Sequence, residues 1–341
     1  IRAMIQCSAM ARGVYFSESW RDMALFRVSD NTRLCQSAAD PDREQFNGKG
    51  DALRIRLWSI RTQVPSRSWA LRSVIVLCGG VLLGCTGPQS LRLAARVDAA
   101  GLRPVAMKGG AMPLFALARV ADASAALRVY IEGDGYAWAN RNQPSADPTP
   151  RQPIALELAL LDRHPNLLYL ARPCQYLSPP AKGCKPALWT SHRFSPEVID
   201  MMEEALTGYA QAHEVRKLEL VGYSGGAALA VLLAARRSDV LSLRTVAGNL
   251  DSEGINRLHR VSPMPGSLNP LDVARALTGL PQLHFVGGQD VVVPAGIARA
   301  FLERVGQGCG RWVEVPAVGH QDGWVEAWPG LLGQEPVCGQ R

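Results

Sequence analysis

Lys217-Leu218-Glu219-Leu220-Val221-Gly222-Tyr223-Ser224-Gly225-Gly226-Ala227 is the stretch on which the reading of this chain turns. Its first five residues have the apolar alternation of a strand, and residues 227–237, rich in Ala and Leu, read as a helix. The G-x-S-x-G between them is a turn too tight for bulky side chains. Gly222 and Gly226 leave room for strand and helix to close on each other. Ser224 is then held in a strained turn with its hydroxyl exposed at the end of a sheet. The amide of Gly225, at the helix N-terminus, can point at a developing negative charge. The five-residue pattern alone also describes a Gly-rich turn with a surface serine. The strand before it and the helix after it supply the context of a nucleophile elbow.

A serine nucleophile needs a base, and the base needs an orienting carboxylate. Leu283-His284-Phe285-Val286-Gly287-Gly288-Gln289-Asp290 reads as a buried strand running into a loop that ends in an acid. Val292-Val293-Pro294 leads into a helix-like stretch. Trp312-Val313-Glu314-Val315 is a further strand, followed by the loop Pro316-Ala317-Val318-Gly319-His320. Over about residues 127–332 the chain resembles the α/β-hydrolase family, whose G-x-x-D-x-x-V-P and G-H loops carry the acid and the histidine. The resemblance implies Ser224 as nucleophile, Asp290 as acid and His320 as base, in the chain order of that fold. A rival acid is Asp251, in the loop after the preceding strand.

A fourth segment bears on the oxyanion. Residues 126–131 read as a strand, followed by Glu132-Gly133-Asp134-Gly135-Tyr136. The family usually has His-Gly here, so Glu-Gly-Asp-Gly is a departure. Its glycines still let the backbone approach a substrate closely. The resemblance therefore implies an oxyanion hole made by the amide of Gly225 and one from Gly135 or Tyr136; the alternative is a plain turn. Glu132 and Asp134 read as loop-structuring acids. A negative charge there opposes an oxyanion unless it is neutralised or turned away.

The N-terminal region carries different information. A short stretch with Arg67 and Arg72 at its ends precedes an apolar run, 73–83, of signal-peptide length and too short for an ordinary membrane span. It ends in Leu82-Leu83-Gly84-Cys85, which resembles the bacterial lipobox; an apolar core strand is the alternative. The resulting division is 1–63 as a non-native or disordered extension, 64–84 as a lipoprotein-type signal peptide and 85–341 as an α/β-hydrolase domain. Val64 is the expected start of the signal peptide, and Cys85 the expected lipidation site. Thr86 in place of Asp favours an outer-membrane site facing the periplasm, with a periplasmic or secreted protein as the alternative.

Charge follows this division. Of the chain's 37 Lys+Arg and 30 Asp+Glu, residues 1–84 hold 12 and 7, so the basic excess sits mainly ahead of Cys85. No basic run is interleaved with aromatics, which speaks against a nucleic-acid partner. The remaining length of about 257 residues suits one domain with a sizeable core. Cys174, Cys184, Cys309 and Cys338 remain after Cys85. An even count in an exported chain suggests disulfides, Cys174 with Cys184 across a Pro-rich loop and Cys309 with Cys338; free buried thiols are the alternative. No CxxC or His-rich spacing suggests zinc.

Strands alternating with helices predict an α/β fold: a mostly parallel sheet with helices on both faces and no large cap domain. Strands are predicted near 105–108, 114–119, 128–131, 167–171, 217–221, 243–247, 282–287 and 312–315. Helices are predicted near 153–161, 196–213, 226–237, 270–278, 294–305 and 322–332. Residues 172–194 and 248–269 read as long irregular stretches leaving strand ends, where pockets form in such sheets. His284 reads as a packed core residue. His192 and His259 lie in the pocket-shaping loops, and Tyr136, Trp138, Tyr223 and Trp324 are available as an apolar wall. The expected function is a serine hydrolase, with no cofactor or metal, acting on a small-molecule or acyl substrate through an acyl-enzyme. An ester is the first expectation; a peptidase or amidase of the same fold, or a non-catalytic envelope lipoprotein, is the alternative.

Overall fold

Runs such as Leu127–Ile131 and Leu167–Leu170 are apolar with little polar alternation, and a strand of that kind needs cover on both faces. In the computed structural model, which describes residues 88–306 and 308–338, they receive it. The elements run α1 (Pro88–Ala99), β1 (Arg103–Gly109), β2 (Met112–Arg119), β3 (Leu127–Ile131), β4 (Trp138–Asn140), β5 (Gln143–Pro144), α2 (Ile154–Leu161) and β6 (Leu167–Leu170). They continue with α3 (Pro196–Ala212), β7 (Leu218–Tyr223), α4 (Gly225–Ala234), β8 (Val240–Val246), α5 (Ser252–His259), α6 (Pro270–Val273), β9 (Gln282–Gly287), α7 (Ala295–Val305), β10 (Gly310–Val315) and α8 (Trp324–Leu332). Eight strands form one sheet in the order β1-β2-β6-β3-β7-β8-β9-β10, while β4 and β5 make a separate small ribbon. β1 and β2 pair antiparallel, as do β2 and β6; every other pairing in the large sheet is parallel.

The side-chain alternation of β3 shows how the layers form. Leu127, Val129 and Ile131 join the core cluster that also takes in α3, α4 and α7. Tyr130 points the other way and meets Trp328 of α8 edge-on, with ring centroids 6.2 Å apart. Phe285 of β9 does the same at 5.7 Å. Helices α2 and α8 pack on each other over that second face. All ten residues of α4 are buried, as an apolar helix behind a central strand must be. Each of its fully buried Leu and Val side chains contributes about 1.5–3 kcal/mol. Helix α3 starts where its sequence signals place it, with Pro196 in the first turn and the Ser195 hydroxyl accepting from the Val198 amide at 3.3 Å.

The structure differs from the sequence reading in the connections. Residues 248–269 contain α5, capped by Asp251, where an irregular stretch was predicted. The helix predicted near 270–278 divides into α6 and a 3-10 turn, Ala274–Leu277. Both expected disulfides are present, Cys174–Cys184 and Cys309–Cys338. The expectations for residues 1–63 and 64–84 and for Cys85 lie outside the described residues. Among the described residues no helix is long and apolar enough to cross a membrane.

Candidate active site

The turn after β7 has the form its glycines permit. Ser224 sits at φ 51°, ψ −118°, a left-handed backbone that a non-glycine residue adopts at a cost of about 1–3 kcal/mol. Neighbouring backbone holds it there: its amide donates to Val246 O at 2.9 Å, and its carbonyl accepts from Ala227 and Asn249, each at 3.0 Å. A Cβ on Gly222 would stand 2.5 Å from Ala227 Cα, so strand and helix approach more closely than any side chain allows. The Ser224 side chain is thereby turned out of the sheet end and stays partly exposed.

Two loops from neighbouring strands reach it. Asp290 follows β9 and is buried; its Oδ1 accepts from the amides of Val292 and Val293, both at 2.8 Å. Its Oδ2 lies 2.8 Å from His320 Nδ1, and His320 Nε2 lies 3.0 Å from Ser224 Oγ. The histidine loop after β10 is fixed through its backbone. His320 O accepts from Tyr223 OH at 3.0 Å and from Trp324 Nε1 at 3.1 Å. With Asp290 accepting a hydrogen bond from Nδ1–H, Nε2 carries a lone pair aimed at the serine hydroxyl. Asp251 is engaged elsewhere: its Oδ1 accepts from the Gly254 amide at 2.9 Å and from Asn269 Nδ2 at 3.0 Å.

The loop after β3 is held by buried side chains. Glu132 Oε1 accepts from the Gly133 amide at 2.9 Å, and Oε2 accepts from Tyr169 OH at 3.0 Å. Gln175 Nε2 donates to Gly133 O at 3.0 Å. The Tyr136 amide donates to Pro148 O at 3.0 Å. This corrects one expectation, since a backbone donor already bonded inside the protein cannot complete an oxyanion hole. Among the described residues the amides of Asp134, Gly135 and Gly225 have no protein acceptor.

Burial of Glu132 raises its pKa from the usual carboxylate range to about 7, against the opposing effect of its hydrogen bonds. A carboxyl raised on folding contributes stability that is complete below its unfolded pKa and is lost as pH rises through the folded value. Glu132→Gln is therefore expected to gain stability relative to the wild type between about pH 4.5 and 7, by at most about 3 kcal/mol. Denaturant unfolding of both proteins across that range checks it; parallel curves would contradict it.

Ser224, His320 and Tyr223 open onto a cavity of about 470 Å³ that is also lined by Asp134, Tyr136 and Arg151. The Arg151 guanidinium lies over the Tyr136 ring, 3.6 Å from its centroid. The other residues singled out in the sequence divide. Trp324 is fully buried beneath the histidine loop, and Trp138 is exposed on β4. His259 Nε2 bonds Val292 O at 2.8 Å, bracing the acid loop from outside the cavity. His192 Nδ1 bonds Ser191 Oγ at 2.9 Å and does not line the cavity. His284 is packed inside the sheet as expected, and burial lowers its pKa to about 3.

Sequence reading missed Tyr169, Arg172, Gln175 and Arg193, which hold the loop after β3. The only sequence signal for them was position: Tyr169 lies in β6, and Arg172, Gln175 and Arg193 lie in the stretch that follows it.

No family model and no curated protein matches the sequence. Solved structures do. An acylaminoacyl peptidase from Pyrococcus horikoshii aligns at 13% identity and a TM-score of 0.50, over 67% of this chain and 38% of that one. A membrane phospholipase A, described as a bacterial virulence factor, aligns at 17% identity and a TM-score of 0.49, over 79% and 97%. An α/β serine hydrolase without a lid, from Xanthomonas campestris, aligns at 15% identity and a TM-score of 0.43, over 69% and 96%. At these identities the likeness concerns the fold alone.

Proposed function

We propose that this chain, which has the α/β-hydrolase fold, is a serine hydrolase that cleaves small carboxylic esters through an acyl-enzyme. The observation that carries the reading is the unbroken hydrogen-bond path from Ser224 Oγ through His320 to Asp290, at 3.0 and 2.8 Å, beside unclaimed backbone amides. In this reading Ser224 Oγ attacks the ester carbonyl while His320 Nε2 takes its proton. Asp290 holds the ring in the required tautomer and stabilises the imidazolium. The amide of Gly225, with that of Asp134 or Gly135, holds the tetrahedral oxyanion. His320 then returns the proton to the leaving alcohol, and water, activated by the same nitrogen, releases the acid. An amide or peptide bond is the alternative substrate within the same chemistry. A fluorophosphonate probe tests the reading on purified protein, because only an activated serine labels. Failure of the wild type to label would favour the non-catalytic envelope reading.

We also propose that residues 64–84 are a signal peptide and that Cys85 carries the lipid. The basic, apolar, Gly-Cys order of the sequence supports this. The disulfides of the folded domain fit an oxidising compartment outside the cytoplasm. Cys85→Ser is expected to move the protein from the membrane fraction to the soluble fraction with its turnover unchanged. Stable anchoring needs more than one acyl chain, so metabolic palmitate labelling is the parallel readout. An unlabelled, soluble wild type would overturn the anchor and leave the hydrolase reading untouched.

A further inference from the structure

Three charged side chains meet beside the elbow. Asp134 Oδ1 accepts from Arg172 Nη1, and its Oδ2 lies 3.3 Å from Arg193 Nη1. Arg172 Nη2 also donates to Arg193 O, and both guanidinia lie over the Phe194 ring, 5.1 and 5.2 Å from its centroid. Phe194 is fully buried and the Arg172 side chain is 4% exposed, so the group is built into the protein. Its position is set by the loop after β6. The Arg172 amide donates to Gln175 Oε1 at 3.0 Å, Gln175 Nε2 in turn donates to Gly133 O, and Cys174 between them is tied to Cys184.

The cluster lies against the residue whose amide the reaction uses. A Cβ on Gly225 would collide with Asp134 Oδ1 and stand 3.0 Å from Arg172 Nη1. The Asp134–Arg172 pair therefore fills the space a side chain at position 225 would take. An unpaired carboxylate there would repel a developing oxyanion. Paired with two guanidinia, the same carboxylate belongs to a cluster of net charge +1. Burial would raise the pKa of Asp134, but Arg193 and then Arg172 outweigh it and hold the group ionised.

We infer that Asp134, Arg172 and Arg193 form a positioning cluster: Asp134 anchors the loop that presents the oxyanion amide, and the arginines turn an opposing charge into a supporting one. The inference rests on the acyl-enzyme reading above. Arg193→Met, Arg193→Lys, Asp134→Asn and the double variant Asp134→Asn/Arg193→Met test it with p-nitrophenyl acetate on the full chain. Arg193→Met is expected to lower kcat by about tenfold or more with KM within about threefold, because the interaction is made in the transition state. Arg193→Lys, which keeps the charge, is expected to retain most of kcat. The double variant is expected to recover much of the loss, since removing the carboxylate's charge returns the cluster from net zero to +1, while an amide oxygen at position 134 can still accept from Arg172. A purely structural role predicts additive losses and a lowered unfolding midpoint instead. If Arg193→Met does not fold, Arg193→Gln carries the same expectation. Wild-type kcat in the neutral Arg193 variant, or additive loss in the double, overturns the inference. Ser224→Ala run alongside separates the two readings: activity surviving it removes Ser224 as nucleophile and overturns the acyl-enzyme reading, whereas its loss beside unaffected Arg193 variants overturns only the cluster.

Discussion

Ser224→Ala is expected to abolish fluorophosphonate labelling and to reduce ester hydrolysis by several orders of magnitude. Loss of a nucleophile in this kind of triad removes the covalent route and leaves only what oriented binding and the oxyanion hole contribute. The fold should tolerate the change. The Ser224 side chain makes one hydrogen bond, to His320 Nε2. The bonds that hold its left-handed backbone come from Val246, Ala227 and Asn249, and Ala retains them. Stability within about 1 kcal/mol of the wild type is expected. Initial rates with p-nitrophenyl acetate and a denaturant titration on the same preparation decide both halves. More than a few per cent of wild-type turnover, above contaminating esterase, would remove Ser224 from the role.

Asp290→Asn is expected to cost about 10⁴ in kcat, by analogy with the same change in the serine-protease triad. The reason is a matter of one hydrogen. Asp290 Oδ1 is already occupied by the Val292 and Val293 amides, so only Oδ2 faces His320 Nδ1. An amide NH₂ in that place donates to Nδ1, and the histidine then keeps its proton on Nε2, where it cannot take one from Ser224. Asp251→Asn is the control. Asp251 caps α5 and bonds Asn269, so its loss should appear mainly in stability, by about 1 kcal/mol, with activity near normal. The reverse pattern would transfer the acid role to Asp251.

The elbow was legible because its information is local. A G-x-S-x-G turn between strand and helix requires small residues at two positions, and those positions can be read without knowing the rest of the fold. Asp290 and His320 were legible because each lies in the loop after a strand of a parallel sheet, and parallel strands deliver their C-terminal loops to one edge. The helix predicted near 226–237 begins one residue earlier and ends at Ala234, within the ordinary uncertainty of helix ends. Helix α5 escaped notice because it is short and its apolar residues, Ile255 and Leu258, are too few to declare a period.

By itself, the sequence determined the strand–helix alternation, the strained serine turn and the order of the three polar residues along the chain. These depend on periodicity, turn chemistry and spacing, all short-range properties of a chain. Only the tertiary structure decided which backbone amides stay unclaimed. Tyr136 and Gly135 are neighbours in sequence, yet Pro148 takes the amide of Tyr136 and not that of Gly135. It also decided how the acids of the Glu-Gly-Asp-Gly loop are answered. Asp134 meets Arg172 and Arg193, which lie 38 and 59 positions further along, and Glu132 is buried against Tyr169. Whether a carboxylate beside an oxyanion helps or hinders depends on charges within a few ångströms. Those distances are fixed by packing between distant segments, which no local pattern records.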